Sequence, residues 1–243
     1  MGSIRYESLL KLGKLHRLGG DFLGVFYPRC CIECGGQLLP DSKLLCHVCL
    51  TDLPRCGFTE QSGNRAEELF YGRARIEAAT SYLYFKKHGI VQNLMHQLKY
   101  KGRQDIGNWV GEALGMEIEG SDRFDSIDLV IPVPLHPKKR RKRGYNQVSR
   151  FGQVLADHLG VHFDEESRKR RLTGKSLTGK NRFERNASIH NAFYLANPEL
   201  VKGRHILLVD DIITSGATLE ACAQKILNLP DTRISLASMA FSL

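Results

Sequence analysis

The sequence predicts an α/β domain with a largely parallel sheet, preceded by a small four-cysteine module. From about Arg75 onward, apolar runs of strand length alternate with stretches of helical length, the pattern of strands joined by crossover helices. Six of the seven cysteines fall between Cys30 and Cys56. The apolar run that begins at Ile206 ends in two acids and a turn of small residues, as a strand does when it passes into a helix at a ligand site.

In chain order, residues 1–28 place Leu9, Leu10, Leu12, Leu15 and Leu18 on a roughly helical period broken by Lys11, Lys14 and Arg17, which reads as an amphipathic helix packed on its own domain. Residues 29–57 hold the cysteines among the turn formers Gly35, Gly36, Pro40 and Pro54. Residues 58–74 are polar and read as a connector. In the remaining segment, 75–243, Ala78 to Phe85 predicts a strand, and Gly89 to Tyr100 and Gly107 to Met116 predict helices. Ile127 to Val133 is an apolar strand ended by prolines, and Gln147 to Leu159 is helical. His205 to Val209 is a second buried strand, Ala217 to Leu227 a helix and Ile234 to Phe241 the last strand. Trp109 and Cys222 fall on apolar helical stretches and read as core.

Composition narrows the function classes. With 243 residues, 42% hydrophobic and 25% charged, the chain can bury the core of a medium domain with an appendage, and it is too apolar to be disordered. No uncharged apolar stretch approaches the roughly 20 residues of a membrane helix, and Phe22 to Tyr27 is too short for a signal-peptide core. The expectation is a cytoplasmic protein. Lys and Arg total 35 against 26 Asp and Glu, a formal charge of +9, which favours anionic partners. The sequence shows no Ser/His/Asp arrangement, Walker loop or dinucleotide fingerprint.

Cys31-x2-Cys34 and Cys46-x2-Cys49 are two knuckles separated by eleven residues. A two-residue gap lets both thiolates of a knuckle face one ion, and two knuckles close a tetrahedron. Four sulfurs leave no open position, so the expected zinc is structural, about one per chain. Cys30 and Cys56 are spare, and Cys30 could replace Cys31 in a shifted register. An iron–sulfur cluster uses the same ligands, and free or redox-active thiols are the other reading.

The most informative segment is Ile206 to Thr218, I-L-L-V-D-D-I-I-T-S-G-A-T. The strand delivers Asp210 and Asp211 at its end. The backbone N–H groups of Thr214, Ser215, Gly216, Ala217 and Thr218, at a helix N-terminus, suit a phosphate, with three hydroxyls adding donors. Two carboxylates beside a phosphate loop are compatible with it when they face neutral ribose hydroxyls near a Mg²⁺. An ordinary strand–turn–helix with solvated acids would explain a lone D-D, but not the whole pattern.

This segment resembles the 5-phosphoribosyl-1-pyrophosphate (PRPP) signature of type I phosphoribosyltransferases. The resemblance implies a type I phosphoribosyltransferase-like fold, a five-stranded parallel sheet flanked by helices with a small hood. It assigns Asp210 and Asp211 to the ribose hydroxyls as catalytic residues, and Thr214 through Thr218 to the 5′-phosphate. The P-V-P-L of Pro132 to Leu135, the R-G-Y-N-Q of Arg143 to Gln147 and the cysteine ribbon together resemble the ComF family, the amidophosphoribosyltransferase-like group linked to natural competence. Lys99-Tyr100-Lys101-Gly102, Arg182-Phe183-Glu184-Arg185 and Asn191-Ala192-Phe193 also match, so the resemblance spans about residues 20–243. Leu177 precedes Thr178 where relatives often carry a glutamine.

Lys138 to Arg143 is a run of six positive residues, and Arg168 to Arg171 is a second basic run. A charge run by itself is ordinarily a solvated face. Between a strand end and R-G-Y-N-Q, however, it reads as a mobile loop. In a phosphoribosyltransferase, Arg140 and Arg143 would stabilise the departing pyrophosphate together with Mg²⁺. Equally, Lys138, Lys139, Arg141 and Lys142 could neutralise a nucleic-acid backbone, with Tyr145 available for base stacking. Two functions follow. One is transfer of ribose 5-phosphate to a nitrogen nucleophile. The other, which the ComF resemblance favours, is a PRPP-binding protein that handles incoming single-stranded DNA during transformation, beside an inner-membrane uptake channel and helicase. His136, at the strand end, reads as a surface or packing residue.

Overall fold

In the structure, a computed structural model that describes residues 29–165, 168–170, 193–195 and 197–242, the chain forms two compact units, 1–52 and 53–243. The amphipathic helix expected over 1–28, the Leu177–Thr178 step and the Arg182–Arg185 element lie outside the described residues.

The second unit is built on a five-stranded parallel sheet of β1 (Ala79–Phe85), β2 (Leu129–Pro132), β3 (His162–Phe163), β6 (His205–Ile213) and β7 (Arg233–Ser242). The strand order is β1-β7-β6-β2-β3. The central strands are near-continuous runs of Leu, Ile, Val and Ala because both faces of a parallel sheet are covered. β3 is a two-residue edge with one exposed and one half-buried residue, too short to leave an alternation signal. β4 (Arg168–Arg170) and β5 (Phe193–Leu195) form a separate antiparallel pair. β6 runs four residues beyond the Val209 end expected from its apolar pattern, because Asp210 to Ile213 keep pairing with β7.

Helices α3 (Ile90–Tyr100) and α4 (Asp105–Glu119) follow β1, and α6 (Ser149–Leu159) follows β2. α4 and α6 approach along Gly107, Gly111 and Gly115. A methyl at Gly111 would lie 2.9 Å from Val154 Cβ, and one at Gly115 2.3 Å from the His158 ring. The glycines therefore set the distance between these helices. α7 (Ala217–Leu227) buries Leu219, Cys222, Ala223 and Ile226 in a cluster with Ile206, Leu208, Ile131 and Phe70. Cys222 is core, as expected.

Segment 58–74 differs from the polar connector its composition suggests. Phe58, Ala66 and Phe70 are buried, and a four-residue helix, α2 (Arg65–Glu68), is capped by the Asn64 side chain. Buried Glu67 accepts from the Ala79 N–H and from Gly63, and pairs with Arg123. The Arg123 guanidinium also donates to the Phe58, Thr59 and Gln61 carbonyls. Buried backbone groups must be satisfied, and here polar side chains do it. The polar residues that suggested a linker are the staples of an inner layer, so this segment belongs to the second unit.

Candidate functional site

A doubly wound sheet opens a crevice where chain connections leave adjacent strands in opposite directions. From β2 the chain goes out to β3, and from β6 it goes the other way to β7, so the switch lies between β2 and β6. The two strands pair as far as the Val133 N–H, which donates to the Val209 carbonyl at 2.8 Å. Beyond that point β6 continues alone on this side, carrying Asp210 and Asp211.

Successive strand residues face opposite sides of a sheet. Ile206 and Leu208 belong to the α7-facing cluster, so Asp210 shares their side. Val209 lies against α6, where a methyl on Gly152 would meet its side chain at 3.0 Å, so Asp211 shares that side. The two acids expected to act as a pair therefore project in different directions.

Asp211 is held by three donors. Its Oδ2 accepts from Lys99 Nζ at 2.9 Å and from Gln147 Nε2 at 2.8 Å, and its Oδ1 accepts from the Ile212 N–H at 2.7 Å. Lys99 ends α3 and Gln147 closes R-G-Y-N-Q. Arg143 Nη1 in turn donates to Gln147 Oε1 at 2.7 Å, and its guanidinium lies 5.3 Å from the Tyr100 ring centre. Asn146 is buried with its amide on the Val133 carbonyl. Lys99 had no role assigned from sequence, although the Lys99-Tyr100-Lys101-Gly102 match marks it. Its pairing with a residue so far along the chain is decided only by the fold. Asp210 accepts from the Asp211 N–H at 2.8 Å.

The small-residue turn follows Ile213. Thr214 and Ser215 are exposed, Gly216 is buried, and Ala217 and Thr218 open α7. Gly216 has φ of +71°, and a methyl there would lie 3.0 Å from the tip of the buried Phe70 ring, so glycine is required twice over. Arg73 Nη1 donates to the Ser215 carbonyl at 3.0 Å, and the same guanidinium pairs with Glu220 in the first turn of α7. A trans peptide puts N–H opposite C=O. With the Ser215 carbonyl drawn to Arg73, the Gly216 N–H points away from that cation. Phe70 and Arg73, from the segment read as a connector, are thus the underside of the loop.

The basic run is a seven-residue helix, α5 (Pro137–Arg143), in place of the expected mobile loop. His136 caps it by accepting from the Lys138 N–H, Pro137 starts it, and Gly144 ends it at φ of +80°. Arg140 to Arg143 fall in its last turn, where the helix dipole favours cations. Lys138, Lys139, Arg140, Arg141 and Lys142 are exposed, and Arg140 lies 3.9 Å from Glu165. Arg143 is turned inward to Gln147. Tyr145, expected to offer a stacking face, is half-buried. Its hydroxyl donates to the Leu98 carbonyl, and burial pushes its pKa up.

In the first unit the Cys31, Cys34, Cys46 and Cys49 sulfurs all lie within 4.8 Å of one another. The Cys34–Cys46 separation is 3.7 Å, against about 3.8 Å for the edge of a tetrahedron with zinc–sulfur bonds of about 2.3 Å. Gly35, at φ of +72°, lets the first knuckle turn, and Cys46 leads into helix α1 (His47–Thr51). Burial opposes ionisation of Cys31, but surrounding backbone N–H groups outweigh it and bring the thiol down to about 6. Burial and neighbouring sulfurs push Cys49 up. Four thiolates this close need a cation to coexist, so the donor set fits a structural metal. Cys30, bridged to Gln37 by backbone, and Cys56, whose burial raises it to about 12, stand outside the cluster.

Residues 149–239 match the family model for the phosphoribosyl transferase domain. The chain is 33% identical over 141 residues to the DNA utilization protein YhgH of Escherichia coli O157:H7, covering 55% of this chain and 60% of that protein. It thus spans about 60% of the length of the YhgH relatives it matches. It is 25% identical over 227 residues to Competence protein F of Haemophilus influenzae, covering 86% of this chain and 96% of that one. It is 22% identical over 212 residues to Competence protein ComFC of Bacillus subtilis, covering 81% and 77%. No described helix is long and apolar enough to cross a membrane.

Proposed function

We propose that this chain, which belongs to the ComF family of phosphoribosyltransferase-like proteins, binds PRPP at the β2/β6 crevice and handles single-stranded DNA in natural transformation. The observation that carries the reading is the Asp211 knot. A signature acid at the switch point is tied to Lys99 and Gln147, beside a Gly216 loop that opens α7. The loop's N–H groups and the Thr214, Ser215 and Thr218 hydroxyls would take the 5′-phosphate. Asp210 and Asp211, on opposite faces of β6, would take the ribose hydroxyls from either side of the β6 edge that runs on past Val133. The same carboxylates would supply the chain's ligand to Mg²⁺. That ion is ordinarily held by one or two carboxylates plus substrate phosphates, so this donor set fits Mg²⁺ arriving with the diphosphate. When bound, Mg²⁺ would neutralise charge on the pyrophosphate oxygens. Arg140 and the neighbouring α5 cations add positive potential at the same end of the sheet.

The DNA role is supported by the exposed row Lys138, Lys139, Arg141 and Lys142 and by the competence relatives. In this reading zinc holds the four-cysteine unit, and the protein works on the cytoplasmic side beside the uptake channel and helicase.

The test is calorimetric titration of PRPP with Mg²⁺ into zinc-replete protein, against an Asp210→Asn/Asp211→Asn variant. The reading expects binding by the wild type and its loss in the variant. Equal binding by both, or none by folded wild type, would refute it.

A further inference from the structure

Tyr100 is 58% exposed, one of the few large hydrophobic side chains in the open among the described residues. It is nonetheless fixed in place. On α3 it lies one turn after His96, and the two rings are 5.1 Å apart at 46°. Arg143 stands over the ring, held from behind by Gln147. Gln147 is bound to Asp211, and so is Lys99, the residue just before Tyr100. Lys99 thus turns in to the signature acid while Tyr100 turns out to solvent. A cation–π contact ties Tyr100 to Arg143, and the polar chain Arg143–Gln147–Asp211–Lys99 ties that arginine to its neighbour in sequence. Lys101, next in sequence, and Lys138, Lys139, Arg141 and Lys142 on α5 are exposed cations.

Single-stranded nucleic acid is gripped by an aromatic face for the base with cations nearby for the phosphates. Arginine against the ring adds a second planar surface. Resting on the single-stranded DNA role proposed for the protein, we propose that Tyr100, with His96 and Arg143, is a stacking platform for a planar heteroaromatic base beside the Asp211 site. Tyr145, the aromatic residue first suggested by the sequence, has its hydroxyl spent on the Leu98 carbonyl. The base comes either from a DNA strand or from a free acceptor base, and the chemistry of recognition is the same.

The experiment compares oligo-dT with an abasic oligomer of equal length on full-length, zinc-loaded protein. Wild type is expected to prefer the oligomer with bases by about 5–150-fold, the range for one stacked base. Tyr100→Ala should bring the ratio close to one, and Tyr100→Phe should keep it. A second arm titrates adenine, hypoxanthine and uracil with and without PRPP and Mg²⁺. Base binding lost in Tyr100→Ala only in this arm assigns the platform to a free acceptor. An unchanged oligomer ratio together with unchanged free-base binding in Tyr100→Ala overturns the proposal, as does a wild type that discriminates in neither arm. PRPP is titrated into the wild type in parallel. A protein that binds no PRPP but discriminates bases through Tyr100 sinks the phosphoribosyl reading and leaves this one standing.

Discussion

Gly216→Ala is the sharpest single-atom perturbation of the phosphate loop. At φ of +71° an L-residue costs about 1–2 kcal/mol. The new methyl would also lie 3.0 and 3.2 Å from two carbons of Phe70, a fully buried ring. Overpacking of this kind adds about 1–3 kcal/mol. The sum is about 2–5 kcal/mol, or roughly 4–20 °C in Tm for a chain of this size. Gly144→Ala is the control, since its φ is +80° but no atom lies within 4 Å of the added methyl. It should cost only the backbone strain of about 1–2 kcal/mol. Thermal unfolding of both variants, with PRPP titration of each, separates strain from crowding. Adding Phe70→Leu to Gly216→Ala should restore PRPP affinity toward wild type by giving the methyl space. Equal Tm losses in the two glycine variants, with PRPP affinity untouched in Gly216→Ala, would refute the claim that Phe70 sets the floor of the loop.

Metal analysis of protein purified without chelator should find about one zinc per chain. That zinc should be lost in Cys34→Ser and Cys46→Ser and retained in Cys30→Ser and Cys56→Ser. Reversing charge at Lys139 and Lys142 should weaken oligonucleotide binding. It should also flatten the salt dependence, by about 0.7 in the log–log slope for each phosphate no longer neutralised. Two histidines, His158 and His205, give opposite pH signs. His158 bonds to Glu119 and Glu112, which raise it above 6.5, so its contribution is complete below pH 6.5 and fades as pH rises through the raised value. Burial lowers His205, so its contribution is complete above pH 6.5 and is lost as pH falls from there toward the lowered value. Unfolding measured across pH 5 to 8 should lose its alkaline-side decline in His158→Gln and its acid-side decline in His205→Gln.

Much of this protein is written in short-range sequence pattern. Cysteine spacing brought four sulfurs to one point because a knuckle is a local turn. The apolar runs became parallel strands because both faces of such a sheet exclude water. The D-D-x-x-T-S-G-A-T turn landed at a strand–helix junction because glycine and small residues permit it there. Features that depend on distant partners emerge only on folding. A polar stretch at 58–74 reads as a linker until Arg123 and Ala79 are seen to satisfy Glu67. A dense basic run reads as a loop, since self-repulsion opposes it, yet capping by His136 and Gly144 closes it into a helix. The division of labour between Asp210 and Asp211 follows from strand alternation combined with which layer covers each face. Lys99 and Arg73 reach Asp211 and Ser215 across about half of the chain, and no local pattern records such pairings, because only packing brings those side chains within bonding distance.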